Sequence, residues 1–291
     1  MKKDETERIS TGISGFDSLI EGGYEKNSIN LISGGSGSGK TIFAIQFLIE
    51  GIRRKEKVLF VTFEEKKEEF YKNMLDFGWD LDKLEKEGNF IFLEYSPEKV
   101  KQMLDEGGGS IESIVLKYKI TRLVIDSITS FSLMFDEEIS KRQAIIELFD
   151  IIRKWNCTTL LTVQEDPSQK QKGVSPTEFE ADSITLLYFN KNGEKRERFL
   201  EILKMRGTNH SNDMHLFTIN KGIQVGKIKN KEFKIKKHKT KTQKKKIVKK
   251  KLKKIIREKK SKVKKTIKIK PKKSKTISKK KPIKKNSKKK R

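Results

Sequence analysis

The stretch Gly34-Gly35-Ser36-Gly37-Ser38-Gly39-Lys40-Thr41 follows the apolar run 30–33 and precedes the apolar-rich segment 42–52. A strand, a glycine-rich loop ending in Gly-Lys-Thr and a helix, in this order, are the context that a phosphate-binding loop requires. The glycines let the backbone turn tightly and aim consecutive N–H groups at phosphate oxygens, and the helix N-terminus adds partial positive charge. All eight residues are therefore predicted to bind nucleotide, with Lys40 on the β- and γ-phosphates and the Thr41 hydroxyl as a ligand of Mg²⁺.

Two adjacent carboxylates follow the next apolar run of the chain. The run 58–63 is continuous and rich in β-branched residues, as expected for a central parallel strand, and it ends in Glu64 and Glu65. Open α/β sheets bind ligands at the carboxyl ends of their strands, so either glutamate could orient or deprotonate the water that attacks the γ-phosphate. On spacing alone, the pair could instead cap the helix predicted to follow.

Two more apolar runs end in polar side chains at the same edge of the predicted sheet. They are 123–126, which ends in Asp126, and 159–164, which ends in Gln164. Asp126 is placed to hold the metal through water. Gln164 could sense the γ-phosphate, although a polar side chain at a strand end is as often structurally neutral.

Strands and helices alternate through most of the chain. The spacing of apolar residues predicts four helices, at 40–53, 65–76, 98–118 and 139–154. Three runs with turns between them follow residue 181, at 183–189, 197–203 and 214–219, and Asn192-Gly193 is typical of a hairpin. The prediction is an α/β fold, a P-loop NTPase core whose mostly parallel central sheet is flanked by helices and ends in antiparallel strands.

The charge of the chain is divided between two parts of different composition. The 291 residues carry a formal net charge of +29, yet residues 227–291 alone hold 36 Lys and Arg and two acids. Residues 1–226 have a net charge of −5 and are long enough to bury one core, which predicts a single globular domain. The Lys-rich part has no aromatic residue after Phe233 and repels itself, so residues 227–291 are predicted to be a disordered tail.

The predicted partner of the tail is nucleic acid. Its cations attract phosphate polymers regardless of base sequence, because no base-reading constellation or interleaved aromatics occur there. A purely solvated extension is one alternative. An anionic membrane surface is another, although the tail has no aromatic anchor or lipidation signal.

The remaining composition predicts a cytoplasmic protein. No apolar run approaches the roughly 20 residues that span a membrane, and the N-terminus has no apolar segment for a secretory signal. Cys157 is the single cysteine and lies in an apolar run, so a buried thiol in a reducing compartment is expected.

Two cations stand close together after the run 197–203. Successive strand side chains point to opposite faces, so Lys204 and Arg206 are expected on the same face at the end of this strand. Two like charges so close would repel unless an anion lies between them. The residues alone leave open which anion that is and whether the same chain holds it.

Five motifs in order resemble a single KaiC-type domain, a member of the RecA/RadA superfamily of ring-forming ATPases. They are ISTGISGFDSLIEGG (9–23), GGSGSGKT (34–41), FVTFEE (60–65), LVIDSIT (123–129) and LKMRGTNHS (203–211) with HLFTINKGIQV (215–225). The resemblance covers about residues 8–226. It implies a Mg²⁺-dependent ATPase that assembles into a ring, expected to be a hexamer, with nucleotide between subunits.

The resemblance also implies roles for particular residues. Lys204 and Arg206 match the Lys-x-Arg pair that reaches the γ-phosphate bound by the neighbouring subunit, so the missing anion would be the neighbour's ATP. Glu64 and Glu65 match the catalytic carboxylate pair. His210, with Asn209, matches a position near the ribose and base of the nucleotide.

The sequence departs from the family in ways that shape the prediction. The double-domain clock protein has two such domains, and its phosphorylatable Ser-Thr pair is replaced here by Glu178-Phe179, so autokinase activity at that position is not expected, although Ser175 and Thr177 lie nearby. A RadA-type recombinase would carry an extra N-terminal DNA-binding domain, whereas only about ten residues precede TGISGFDSLI here, which speaks against a recombinase. The alternative function is a non-enzymatic, ATP-gated assembly or signalling module with slow or no hydrolysis, similar to the accessory protein of the archaeal flagellar motor.

Overall fold

The computed structural model describes residues 7–168 and 176–226, which all belong to one compact unit. The strands are β1 (Arg8–Ile9), β2 (Tyr24–Glu25), β3 (Ile29–Gly34), β4 (Val58–Thr62), β5 (Phe90–Glu94), β6 (Arg122–Asp126), β7 (Thr158–Gln164), β8 (Ser183–Asn192), β9 (Lys195–Met205), β10 (His215–Ile219) and β11 (Ile223–Val225). The helices are α1 (Lys40–Arg53), α2 (Lys67–Leu75), α3 (Leu81–Lys86), α4 (Pro97–Asp105), α5 (Gly109–Tyr118), α6 (Ile128–Ser132), α7 (Glu138–Lys154) and α8 (Pro176–Glu180). The predicted tail, 227–291, and Ser175 lie outside the described residues.

Within the described residues, nine strands form one sheet in the order β11-β10-β9-β8-β3-β7-β6-β4-β5. The six strands from β8 to β5 are parallel, whereas β9, β10 and β11 are antiparallel to their neighbours. This arrangement confirms the predicted mixed sheet. It also brings the carboxyl ends of the strands β3, β4, β6 and β7 to one edge.

Helices cover both faces of the sheet. Helices α1, α2 and α3 supply the apolar side chains of one layer, and α4 to α7 supply those of the other. Strands β3 and β4 are buried at every position, which explains their continuous apolar runs. Phe43 and Phe47 of α1 are fully buried, and each contributes about 2 kcal/mol to folding by leaving water.

The helix boundaries agree with the sequence in three cases and differ in one. Helix α1 covers the predicted 40–53, and α2 and α7 differ from their predicted ranges by one or two residues. The single helix predicted over 98–118 is wrong, because α4 ends at Asp105 and α5 begins at Gly109. The backbone of residues 107–109, three consecutive glycines, adopts positive φ angles of 63°, 123° and 48°, which a continuous right-handed helix cannot contain. Helix α3 and strand β5 were not predicted.

Arg122 at the start of β6 is fully buried and joins three parts of the fold. Its guanidinium donates two hydrogen bonds of 2.8 Å to the Glu56 carboxylate, and others to the carbonyls of Ser10 (2.8 Å) and Phe47 (2.9 Å). Burial opposes ionisation of Glu56, but hydrogen bonding to Arg122 and its charge outweigh burial, so the pKa of Glu56 is lowered. The N-terminal segment, α1 and the sheet are thereby tied together.

Two further predictions concern burial and membranes. The Cys157 side chain is buried, as expected, and burial raises the pKa of its thiol to about 12. Among the described residues, none of the helices is both long and apolar enough to cross a membrane.

Candidate nucleotide-binding site

A polar cavity of about 250 Å³ opens at the carboxyl edge of the sheet. Residues at or just after the ends of β3, β4, β6 and β7 form its wall, so residues far apart in sequence converge there. Every residue that lines it is polar or glycine: Ser36, Gly37, Lys40, Thr41, Glu64, Glu65, Asp126, Ser127 and Gln164. All of these except Ser127 were predicted from the sequence.

The phosphate loop bends around this cavity between β3 and α1. Gly37 and Gly39 have φ angles of 72° and 105°, which side chains disfavour, so the bend needs glycine at both positions. The Ser38 N–H and the Lys40 ammonium both point into the loop, where they lie 3.3 and 3.2 Å from the Gly35 carbonyl oxygen. The buried Ser38 hydroxyl has no hydrogen-bond partner among the described residues. Inward-facing donors and a polar atom without a partner fit a loop that holds phosphate oxygens.

Burial shifts the pKa of the loop lysine. The pKa of Lys40 is lowered because burial disfavours its charged form, while the nearby Asp126 and Glu64 carboxylates act in the opposite direction. A bound phosphate would add further negative charge beside the ammonium and so favour its protonated form.

Thr41 and Asp126 form a pair of oxygen donors at the floor of the cavity. The Thr41 hydroxyl donates to Asp126 Oδ2 at 2.8 Å, and the Thr162 hydroxyl donates to the other carboxylate oxygen. Mg²⁺ prefers hard oxygen ligands and is usually held by one or two protein groups together with phosphates and water. The two predicted metal ligands therefore suit Mg²⁺, with Thr162 fixing the orientation of Asp126. Groups of three or more His, Cys, Asp or Glu that could hold a metal do not occur in the described part of the chain.

The glutamate pair faces the cavity and does not cap a helix. Glu64 Oε1 accepts hydrogen bonds from the hydroxyls of Ser127 (3.0 Å) and Ser130, while α2 begins two residues after Glu65 without a side-chain cap. The Thr62 hydroxyl accepts from the backbone N–H groups of both glutamates at 3.2 Å. The glutamates are therefore placed by hydroxyl groups from two neighbouring strand ends.

The two glutamates differ in their surroundings. Burial raises the pKa of Glu65, and the negative charges of Asp126, Glu64 and Glu69 raise it further. A carboxylate with a raised pKa is a stronger proton acceptor once it is ionised. This suits a group that deprotonates water.

Gln164 and three hydroxyl residues complete the edge. Gln164 lines the cavity at the end of β7, and its backbone N–H donates to the Thr129 hydroxyl at 2.8 Å. Ser127, Ser130 and Thr162 were missed by sequence reasoning. The hydroxyl-rich segment directly after Asp126 was the signal that could have indicated the first two.

Lys204 and Arg206 lie at the opposite edge of the sheet from the cavity of their own chain. Lys204 pairs with Ile184 near the start of β8, whereas the end of β3 at Gly34 lies beside Leu187, further along β8. The two cations are therefore at the amino ends of the parallel strands. The structure does not bring them to the phosphate loop that precedes α1 in the same chain.

The two cations donate hydrogen bonds to backbone carbonyls of α8, and Lys204 also to the residue that follows it. The Lys204 ammonium donates to the carbonyl oxygens of Glu178 (3.2 Å), Phe179 (3.2 Å) and Ala181 (2.6 Å). The Arg206 guanidinium also donates to the Phe179 carbonyl, at 3.1 Å. Burial lowers the pKa of Lys204, and the neighbouring Arg206 charge lowers it further.

Asp182 connects this cation cluster to the central strand. Its carboxylate accepts from Arg206 at 3.2 Å, from Arg153 at 3.3 Å and from the Ile29 N–H at 2.9 Å. The backbones of Asp182 and Ile29 share a further hydrogen bond of 2.8 Å, and the Arg206 N–H donates to the Asp182 carbonyl at 2.9 Å. The start of β3 is thus fixed to Arg206. Neither Arg153 nor Asp182 was expected here.

His210 is also outside the cavity. It follows β9 at the same edge as Lys204, and its Nδ1 lies 3.0 Å from the Ser211 carbonyl. The structure therefore does not bring His210, or Asn209 beside it, to the cavity of the same chain.

Comparison with known proteins gives consistent results. A family model described as "ATPase: KaiC" matches residues 9–230. The chain is 38% identical over 234 residues to the circadian clock protein KaiC3 of Synechocystis sp., covering 76% of this chain and 46% of that protein. It is also 38% identical over 231 residues to the circadian clock oscillator protein KaiC of Thermosynechococcus vestitus, covering 76% of this chain and 44% of that protein. The chain thus spans less than half the length of these curated relatives.

A solved structure resembles the fold. The KaiC-like protein PH0186 from Pyrococcus horikoshii OT3 aligns with a TM-score of 0.69 and 35% sequence identity, over 76% of this chain and 100% of that chain. This likeness confirms the RecA-type α/β fold predicted from the motifs.

Proposed function

The chain belongs to the KaiC family of ATPases, and we propose that it binds Mg²⁺–ATP in the cavity at the carboxyl edge and hydrolyses the β–γ phosphoanhydride. The observation that carries this proposal is the convergence of a phosphate loop, two oxygen donors for a metal and a glutamate pair on one 250 Å³ cavity. The ends of three separate strands, β3, β4 and β6, supply these groups. A polar pocket formed by chance would not combine phosphate-binding, metal-binding and water-activating groups in the arrangement that phosphoryl transfer needs.

Each group has a defined task in this proposal. The loop N–H groups and Lys40 bind the phosphates, while Thr41 and Asp126 hold Mg²⁺, which would neutralise charge on the phosphates when bound. Glu65, aided by Glu64, takes a proton from the attacking water. The serines that hold Glu64 keep its carboxylate directed at the cavity.

We further propose that the active site is completed between subunits. One edge of each protomer carries the cavity and the other carries Lys204 and Arg206, so a head-to-tail contact would bring the cations of one subunit to the phosphates of the next. A repeated contact of this kind closes into a ring, for which we propose a hexamer. The position of both cations, away from their own phosphate loop, supports this arrangement. His210 would then approach the neighbour's nucleotide from the same edge.

The enzymatic proposal is tested by removing the glutamate charges. We expect the double variant Glu64→Gln/Glu65→Gln to bind ATP normally and to lose turnover by about a hundredfold or more, the usual contribution of general base catalysis. The matched control is Glu68→Gln/Glu87→Gln, which removes two exposed carboxylates at sites outside the cavity. Turnover should stay at the wild-type level in this control.

The double variant Glu64→Gln/Glu65→Gln also distinguishes an enzyme from an ATP-gated assembly or signalling module. If this variant no longer hydrolyses ATP but still assembles with ATP and keeps its biological activity, hydrolysis is dispensable and the ATP-gated module is the better description. If turnover itself survives, the glutamates are not the catalytic groups.

The Lys-rich residues 227–291 lie outside the described structure, and their charge supports a separate proposal. We propose that this tail binds nucleic acid without sequence preference in a cytoplasmic setting, because its 36 cations face only two acids. The affinity of the tail for DNA should fall steeply as the salt concentration is raised, because binding releases several counterions from the DNA. A dissociation constant that does not change with salt would contradict this proposal.

A further inference from the structure

We propose that Arg198 is a positioning residue that fixes the phosphate loop for ATP binding, and this proposal rests on the function proposed above. Arg198 lies on β9, remote in sequence from the loop. Its Nε and Nη2 atoms donate hydrogen bonds of 3.2 and 3.1 Å to the carbonyl oxygen of Gly37. A cation of the same chain therefore contacts the loop directly.

The guanidinium is held in place by an aromatic side chain on the neighbouring strand. Arg198 pairs with Phe189 of β8, and its Cζ atom lies 4.1 Å from the centre of the Phe189 ring. The same ring also covers the loop, because a Cβ atom added to Gly37 would lie 3.7 Å from it. Phe189 thus restricts the freedom of Arg198, so less entropy is lost when the hydrogen bonds to Gly37 form.

Holding the Gly37 carbonyl determines where the next N–H points. In a planar trans peptide, the C=O of one residue and the N–H of the next point in opposite directions. Arg198 draws the Gly37 carbonyl outward, so the Ser38 N–H is directed into the loop, 3.3 Å from the Gly35 carbonyl oxygen. That donor is one that a nucleotide phosphate would use, and the nearby positive charge favours an anion there.

The expected consequence of losing Arg198 is weaker ATP binding with chemistry preserved. We expect Arg198→Gln to raise the dissociation constant of Mg²⁺–ATP by about tenfold, the value of losing a charge-assisted hydrogen bond. At saturating ATP, kcat should remain within about twofold of wild type, because the metal and glutamate groups are untouched. Arg198→Lys keeps the charge but has no planar fork, so it should recover only part of the affinity.

Arg196 offers a matched control. Its guanidinium lies 5.3 Å from the same Phe189 ring, and it donates to the Phe189 carbonyl rather than to the phosphate loop. Arg196→Gln removes the same charge two residues away on the same strand face. The ATP affinity of Arg196→Gln should match that of the wild type. Without nucleotide, Arg196→Gln and Arg198→Gln should both melt at the wild-type temperature.

Binding of Mg²⁺–ATP to the full chain, measured by calorimetry, gives distinct outcomes. If Arg198→Gln binds ATP as tightly as wild type, or if both Gln variants lose affinity equally, the positioning role of Arg198 is overturned. A fall in kcat without a change in affinity would also overturn it. If the wild type itself fails to bind ATP, the proposed function is wrong, which is a different result from a failure confined to Arg198.

Discussion

Mixing two inactive variants of this chain is expected to restore ATP hydrolysis. In the proposed ring, Lys40→Ala removes a phosphate contact from the subunit's own cavity, whereas Arg206→Ala removes the cation that the subunit would offer to its neighbour. In a pure ring of either variant, every site lacks one of the two groups. In a mixed ring, a cavity from an Arg206→Ala subunit can face a neighbour that still has Arg206.

The distance between Arg206 and the phosphate loop of the same chain shows why one subunit does not complete its own site. Met205 pairs with Ser183, which lies four residue steps along β8 from Leu187 at the level of Gly34, a distance of about 13 Å along the strand. A lysine or arginine side chain does not cover this distance while held by the segment 178–182. In the proposed ring each site therefore depends on two different chains, and random equal mixing completes about a quarter of the sites.

The assay is steady-state phosphate release at a series of mixing ratios after subunit exchange. Removing a cation supplied in trans typically lowers turnover by about a thousandfold, so a quarter of wild-type activity would stand far above either pure variant. The matched control mixes Lys40→Ala with the double variant Lys40→Ala/Arg206→Ala, which can form no complete site. Exchange is verified by pull-down of a tagged subunit.

One result would refute the reasoning. If exchange is complete and the mixture hydrolyses ATP no faster than the sum of the two pure variants, Arg206 does not act on the neighbouring site. Wild-type turnover in pure Arg206→Ala would refute it as well.

Three further predictions concern single positions. Because burial and neighbouring carboxylates raise the pKa of Glu65, kcat/KM should begin to fall with decreasing pH above the usual glutamate value of about 4.3, and an acid limb at that value would contradict the assignment. Arg122→Met should reduce the free energy of urea unfolding by about 3 kcal/mol, since it leaves Glu56 partly buried without its partner. Because the pKa of Glu56 is lowered in the folded state, the stabilising effect of Arg122 should be complete above the pKa of Glu56 in the unfolded chain and should be lost as the pH falls through its folded-state pKa. If Arg122→Met lowers the free energy of unfolding by the same amount at acid pH, this reasoning is contradicted. Gly39→Ala should weaken ATP binding, measured by calorimetry, because φ is 105° and the new Cβ would lie 2.7 Å from Ile219; unchanged affinity would count against the strained loop.

The residues that line the cavity were largely predictable from the sequence. Local chemistry determines the phosphate loop, because few sequences other than glycine-rich ones adopt its backbone. Glu64, Asp126 and Gln164 follow apolar runs, and parallel strands place their carboxyl ends at one edge. Their placement at one edge of the sheet therefore follows from strand type alone.

Contacts that depend on strand order and register were not predictable. Arg198 meets Gly37 because β9 and β8 pair with a particular register, which no short-range pattern in 183–205 encodes. The same holds for Asp182, whose partners come from β3, α7 and the end of β9. The wrong prediction of one helix over 98–118 has another origin. The helical spacing of apolar residues continues through the three glycines 107–109, but the cost of placing glycines inside a helix was the stronger signal and indicated a break.

Strand β3 joins the two edges of the domain. It is hydrogen-bonded along most of its length to β7 on one side and β8 on the other, it carries the phosphate loop at its carboxyl end, and its first residue is fixed to Asp182. A core strand paired on both flanks opens only at a high free energy, so we expect its two ends to move together. In the proposed ring, each protomer would be a stiff link between the ATP it binds and the ATP its neighbour binds. Successive sites could then sense one another's occupancy through a six-residue strand, without a moving loop as intermediary.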